Sequence, residues 1–208
     1  MKPSRGLFVT FEGGEGSGKT TQLERLAARL RGIGIEPLVT REPGGTPLAE
    51  AIRGLLLDSG SCPRAMTEAL LMEAARAELV GGVIRPALAD HRVVLCDRYD
   101  ASTLAYQGAG RGLDAALLAD LNRAATGGLK PDLTLLYDLD PAVGLGRRGR
   151  AAGAPNRLDR EPLEFHLRVR ERFLELASAE PARFVVLDAA GDPVALEARG
   201  WAEIERRL

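Results

Sequence analysis

Residues Gly13-Gly14-Glu15-Gly16-Ser17-Gly18-Lys19-Thr20 follow the spacing G-x-x-x-x-G-K and then Ser or Thr, a pattern that cradles phosphate. Glycines let the backbone curl so that successive N–H groups point at one anion. A helix beginning near residue 18 would add the positive end of its dipole. Lys19 is placed to reach the β- and γ-phosphates of a nucleotide. Thr20, with Thr21 beside it, offers a hydroxyl to Mg²⁺. The bland alternative is a glycine-rich turn. An apolar run from Leu7 to Phe11 precedes the loop, and Leu23, Leu26, Ala27 and Leu30 follow at helical spacing. That strand–loop–helix context is the one the phosphate reading requires.

Charged residues recur after other apolar runs. Thr40-Arg41-Glu42-Pro43 follows the second run, Asp97-Arg98-Tyr99 the third, and Asp138 the fourth. Phosphoryl transfer is mainly positioning and charge neutralisation, so it needs several cations around two phosphate groups. Lys19, Arg41, Arg98 and the arginines of 146–160 are the candidates. A carboxylate must help to hold Mg²⁺. Asp97 and Asp138 both end apolar runs; Asp97 is favoured because Arg98 and Tyr99 follow it directly. Segment 146–160 is polar and glycine-rich and carries Arg147, Arg148, Arg150, Arg157 and Arg160. It reads either as a solvated basic loop or as a lid that closes over phosphates.

These residues need a frame. Apolar runs at 7–12, 36–41, 92–97, 132–138 and 183–188 alternate with helical patterns. The helical patterns lie near 18–31, 47–57, 65–80, 83–90, 113–125, 141–148, 161–179 and 193–207. Near-continuous apolar runs suit strands buried on both faces of a parallel sheet. The alternation predicts a doubly wound α/β fold: a P-loop NTPase three-layer sandwich, with a five-stranded parallel sheet flanked by helices and an arginine-rich lid. Ligands of such sheets sit at the carboxyl ends of the strands, which would gather the candidate residues at one rim. No internal repeat is visible, and residues 1–208 read as one domain.

The 208 residues are 45% hydrophobic and 27% charged, with a formal net charge of −1. No overall field favours nucleic acid or an anionic membrane. Cys62 and Cys96 have no metal-site spacing, and the run Val93-Val94-Leu95-Cys96 predicts a buried thiol. Lys2 and Arg5 lead straight into an apolar run, unlike a signal peptide. No run reaches the length of a membrane span. A cytoplasmic location is therefore expected. His91 and His166 join no nucleophile or metal constellation and read as surface or packing residues.

Over nearly its whole length the sequence resembles the bacterial thymidylate kinases, which move the γ-phosphoryl of ATP onto dTMP to give dTDP. The resemblance rests on Phe11 to Gln22, Thr40 to Thr46, Asp97-Arg98-Tyr99, Ser102 to Gly108, Gly110-Arg111-Gly112 and Lys130 to Thr134. It implies ATP and Mg²⁺, a homodimer, and roles at matching positions. Glu15 would lie near the 3′-hydroxyl of dTMP, and Arg41 and Arg98 would hold the acceptor phosphate. Arg76, with Arg53 in some members, would meet the thymine. Thr103 and Gln107 would read its edge, and Tyr106 would pack under the sugar and disfavour a 2′-hydroxyl. The Glu42–Pro43 bond would be cis. The phosphate loop holds no arginine, so the catalytic arginine would come from the lid, from Arg147, Arg148 or Arg150. Arg157, Asp159 and Arg160 would form the lid's far end. Met72 stands where many members place a phenylalanine to stack on the base. A thioether contacts a ring face less rigidly, and plain core packing is the other reading. A kinase for another small acceptor on this fold, or a P-loop GTP/ATP-binding switch, is the alternative. The Asn-Lys-x-Asp run that guanine switches use does not occur.

Overall fold

The computed structural model describes residues 5–58, 60, 62–150 and 156–208. Its strands are β1 (Leu7–Glu12), β2 (Leu38–Arg41), β3 (Val93–Asp97), β4 (Leu133–Asp138) and β5 (Phe184–Asp188). They form one sheet in the order β2-β3-β1-β4-β5. Every pairing is parallel; Val9 of β1 lies between Leu95 of β3 and Leu133 of β4.

The central strands are buried on both faces, and successive side chains supply the two sides in turn. Leu7, Val9 and Phe11 pack with Leu23, Leu26 and Leu30 of α1 (Lys19–Gly32) and with Leu196, Trp201 and Ile204 of α9 (Pro193–Glu205). Phe8 points to the other face, where α3 (Ala65–Leu79), a π-helical segment (Val80–Ile84) and α4 (Arg85–Ala89) cover it. On that same side Leu136 and Phe184 meet α8 (Leu163–Ala179). The result is helices, sheet, helices, as the alternating pattern predicts. The remaining helices are α2 (Pro47–Leu57), α5 (Asp100–Thr103), α6 (Ala115–Thr126) and α7 (Pro141–Arg150). No described helix is long and apolar enough to cross a membrane.

Local chemistry fixes the helix starts. Thr46, Asp114 and Asp192 each accept a bond from a first-turn backbone N–H, of Ala49, Leu117 and Ala195. Pro47 and Pro193 occupy the first turns of α2 and α9. Helix α1 differs: its N-cap is Gly18, at φ 85°, with no capping side chain.

Several expectations need correction. The second strand starts at Leu38 rather than 36, and it lies at the sheet edge with Val39 42% exposed. Residues 65–89 form one run through the π-helical segment instead of two separate helices. Asp100 to Gly110, which shows no helical pattern in the sequence, is α5 continued by a π-helical stretch (Leu104–Gly110). The 146–160 segment is not a loop throughout, because α7 runs on to Arg150 and Leu158–Arg160 form a 3₁₀ turn. Residues 151–155 of that segment, and Lys2, lie outside the described residues. Cys96 is buried as expected and Cys62 is exposed; both are free thiols. His91 is exposed, and His166 is buried against Phe165.

Leu95 is fully buried in the strand beside β1. Leu95→Ala should cost about 3 kcal/mol, from lost burial and the cavity left behind. Urea unfolding followed by far-UV circular dichroism measures it.

Candidate active site

A cavity of about 520 Å³ opens at the carboxyl ends of β1, β2 and β3. Its floor is the turn after β1. Gly16 there has φ 66°, a region glycine occupies without strain. A β-carbon on Gly16 would collide with the carbonyl oxygen of Gly144 in α7, and one on Gly144 would collide with the carbonyl oxygen of Glu15. The loop and the seventh helix therefore touch backbone to backbone. The uncapped N-terminus of α1 faces the same turn, with its first N–H groups free of side-chain acceptors.

Lys19 is buried within the loop, its Nζ donating to the Gly14 carbonyl at 2.8 Å and lying 3.4 Å from Ser17 Oγ. Burial pushes its ammonium down to about 8; Arg98 adds to the shift, and Glu15, Asp97 and Glu12 oppose it. Thr20 Oγ1 donates to Asp97 Oδ2 at 2.7 Å, and both residues line the cavity with Thr21. Asp138 is engaged elsewhere, in a two-pronged pair with Arg170 at 2.7 and 2.8 Å.

Arg98 sits at φ 73°, a left-handed conformation unusual for a residue with a side chain. Its guanidinium holds that position by bonding the Gly13 carbonyl at 3.1 Å, Ser102 Oγ at 3.3 Å and Glu15 Oε1 at 2.7 Å. It also lies over the Tyr106 ring, 4.9 Å from the centroid. Tyr106 donates its hydroxyl to the same Glu15 oxygen at 2.9 Å. Burial would raise the Glu15 carboxyl. Arg98, Lys19 and the Tyr106 hydroxyl outweigh it and hold the group at about 2. Beneath lies Glu12, which accepts from Tyr99 N–H at 2.8 Å and Ser102 Oγ at 2.6 Å. Burial pushes Glu12 up to about 7 despite those bonds.

The acceptor side is walled by α2, α3 and the π-helical stretch. Arg41 is half exposed and donates to Glu50 at 2.8 Å, while Arg53 donates to the Pro43 carbonyl at 2.8 Å. The Glu42–Pro43 bond between them is cis, as expected. Met72 lines the cavity and also packs on the Ala49–Ile52–Leu56–Ala75 cluster. Gln107 lines the wall as well.

Two expected base contacts do not reach the cavity. Arg76 and Thr103 have 0% exposure and are not among the lining residues. The reason is that protein groups saturate the Arg76 guanidinium. Its Nε donates to Glu42 at 2.8 Å and its Nη2 to the Tyr99 carbonyl at 3.0 Å. Its Nη1 meets Glu73 at 2.5 Å, Asn122 at 2.6 Å and Thr103 Oγ1 at 2.9 Å. In this arrangement Arg76 braces the wall from behind. Burial pushes its partner Glu42 up to about 7, with Arg76 opposing.

The lid arginines divide. Arg147 and Arg148 line the cavity; Arg147 donates to the Ala189 carbonyl at 3.1 Å, and Arg148 pairs with Asp159 at 3.1 Å. Arg150 does not line it, because its Nε folds back onto the Gly146 carbonyl of its own helix at 3.0 Å. Arg160 is exposed. Arg157 lines the cavity and pairs at 2.5 Å with Glu68, a residue that the sequence reading passed over. Glu68, Met72 and Arg76 lie four residues apart on α3, so helical spacing from the other two was the available signal.

Phosphate loop, uncapped helix, paired hydroxyl and carboxylate, and converging arginines on a parallel sheet define a nucleotide-binding phosphotransferase of the P-loop class. The thymidylate kinase family profile matches residues 11–198. Thymidylate kinase of Deinococcus radiodurans is 55% identical over 204 residues, covering 98% of each chain. That of Thermomicrobium roseum is 56% identical over 197 residues, covering 95% of this chain and 93% of the relative. The crystal structure of thymidylate kinase from Ehrlichia chaffeensis superposes with a TM-score of 0.79 at 33% identity, covering 97% of this chain and 99% of that one. This chain belongs to the thymidylate kinase family.

The Lys19 shift has a signed consequence. A lysine loses its charge as pH rises past its pKa, so affinity for a nucleoside triphosphate should fall above about pH 8. The slope should approach about tenfold per pH unit until the bound lysine also titrates. Calorimetric titration between pH 7 and 10 reads this out; a flat profile would remove Lys19 as the titrating cation.

Proposed function

We propose that this protein transfers the γ-phosphoryl group of ATP to the phosphate of dTMP, giving dTDP and ADP for dTTP synthesis. One observation carries the reading: the phosphate loop and the acceptor-side residues Arg41, Arg53, Met72, Arg98 and Gln107 line a single cavity. Donor and acceptor phosphates can therefore meet inside it, with the lid arginines Arg147 and Arg148 above them.

The residues divide the work. Loop N–H groups from Gly13 to Thr21 and the α1 N-terminus receive the triphosphate, and Lys19 follows the β- and γ-oxygens. Thr20 and Asp97 present two hard oxygens side by side, a fit for Mg²⁺, which prefers one or two protein ligands plus phosphate oxygens and water. When bound there, Mg²⁺ neutralises charge on the transferring group. Asp138 pairs with Arg170 instead, which favours Asp97 for this task. The acceptor is a phosphate monoester, whose second ionisation lies near pH 6, so its oxygen is already anionic and no general base is needed. Glu15, held at about 2, stays a carboxylate and serves instead to aim Arg98 and Tyr106. Arg98 and Arg41 hold the acceptor phosphate, with Tyr106 under the sugar.

The reading also includes a cytoplasmic homodimer. Exposed apolar side chains Leu55, Met66, Leu70 and Leu117 lie on α2, α3 and α6, with α2 and α6 each packed on α3. A second copy of the chain would cover them. Leu70→Asp should shift the mass seen by analytical ultracentrifugation from dimer to monomer. A monomeric wild type rejects this part.

A coupled ADP assay with Mg-ATP tests the main reading. Turnover should be highest with dTMP among dTMP, dUMP, dCMP and dGMP; turnover only on another acceptor would move the substrate. Asp97→Asn should lower kcat about a hundredfold, and Lys19→Ala at least as much, while Asp138→Asn stays near wild type. Damage from Asp138→Asn instead would reverse the carboxylate assignment.

A further inference from the structure

Glu68 has no task in the mechanism above, yet it is only 1% exposed. Its two oxygens are divided. Oε1 accepts from Gln107 Nε2 at 2.7 Å, and Oε2 accepts from Arg157 Nη2 at 2.5 Å. Arg111 lies 3.4 Å from Oε1 through its Nε and 3.3 Å from Oε2 through its Nη2. Arg157 also donates to the Leu56 carbonyl at 3.2 Å. One carboxylate thus joins three parts that sequence keeps apart: helix α3, the acceptor wall at Gln107, and the basic segment at Arg157.

The division settles the Gln107 side chain. A carboxylate only accepts, so the amide nitrogen must face Glu68. Gln107 Oε1 is thereby turned away from Glu68; it lies buried in the wall of the cavity that Gln107 lines, without a hydrogen-bond partner in the protein. A buried carbonyl left unpaired costs free energy, which an N–H donor on the ligand would recover. Imide-type bases such as thymine carry a ring N–H, whereas cytosine presents a ring acceptor at the corresponding atom and would face oxygen with lone pair.

We propose that Glu68 is a positioning residue that ties the turn at 156–160 to recognition of the acceptor base. With one oxygen it latches Arg157; with the other it turns Gln107 so that an amide oxygen meets the base. This inference rests on the dTMP kinase reading for the identity of the base, but the latch itself does not.

The test uses the full-length enzyme and the isosteric Glu68→Gln. A neutral amide gives Arg157 no counter-charge and lets Gln107 turn either way. Loss of one charge-assisted bond should speed hydrogen exchange at the backbone amides of 156–160 by about tenfold or more, without nucleotide. Arg157→Gln should do the same, and the double variant should exchange no faster than either single one. In steady state, E68Q should lower the dTMP-to-dCMP ratio of kcat/KM by about tenfold, mainly through KM for the acceptor. Unchanged exchange in both single variants, or effects that multiply in the double variant, would overturn the latch. Unchanged base preference in a folded E68Q enzyme would overturn the coupling. Should E68Q fail to fold, R157Q alone decides the latch by its exchange. Exchange needs no substrate, so failure of the kinase reading and failure of the latch are seen separately.

Discussion

A cluster of positive charge must be held together before any phosphate arrives, and the rest of the site follows from how that is done. Two like charges 4 Å apart near a protein surface repel by about 4 kcal/mol. Lys19, Arg41, Arg53, Arg98, Arg147, Arg148 and Arg157 share one cavity. Carboxylates sit among or behind most of them: Glu15 on Arg98, Glu50 on Arg41, Asp159 on Arg148 and Glu68 on Arg157. Each pair fixes an arginine in place, so less side-chain freedom remains to be lost when a ligand binds. Glu15 shows the balance most clearly, since burial and its cations pull its pKa in opposite directions and the cations prevail.

Behind this first layer a second network supports the wall. Arg76 is buried among Glu42, Glu73, Asn122, Thr103 and the Tyr99 carbonyl. It ties α3 to the turn after β2, to the turn after β3 and to α6. Removing one member would leave a buried charge uncompensated, which is far more costly than the net worth of the pair. The network thus binds together the elements that carry Met72 and Gln107.

Much of the frame was legible because its causes are local. The strands announce themselves as apolar runs, and the phosphate loop needs only glycine, lysine and threonine at set spacing. Reading what ends each run singled out Asp97, which lies beside Thr20 of the loop. What failed depended on tertiary packing. Asp100 to Gly110 hides its helix because Gly108 and Gly110 lower helix propensity there. Gly110 is placed by packing, since a β-carbon there would come 2.5 Å from the Phe165 ring. The burial of Arg76 behind the wall was not legible, because motif position says nothing of burial. Arg150 looked equivalent to Arg147 and Arg148 until its guanidinium was seen turned onto its own helix. Glu68 was invisible because its partners lie 39 and 89 residues away.

The bare contact between Gly16 and Gly144 has a mechanical meaning. No side chain stands between loop and helix to act as a cushion, so the two cannot slide past one another there. Arg147 and Arg148 lie about one turn further along the seventh helix, so this contact sets the spacing between their backbone and the phosphate loop.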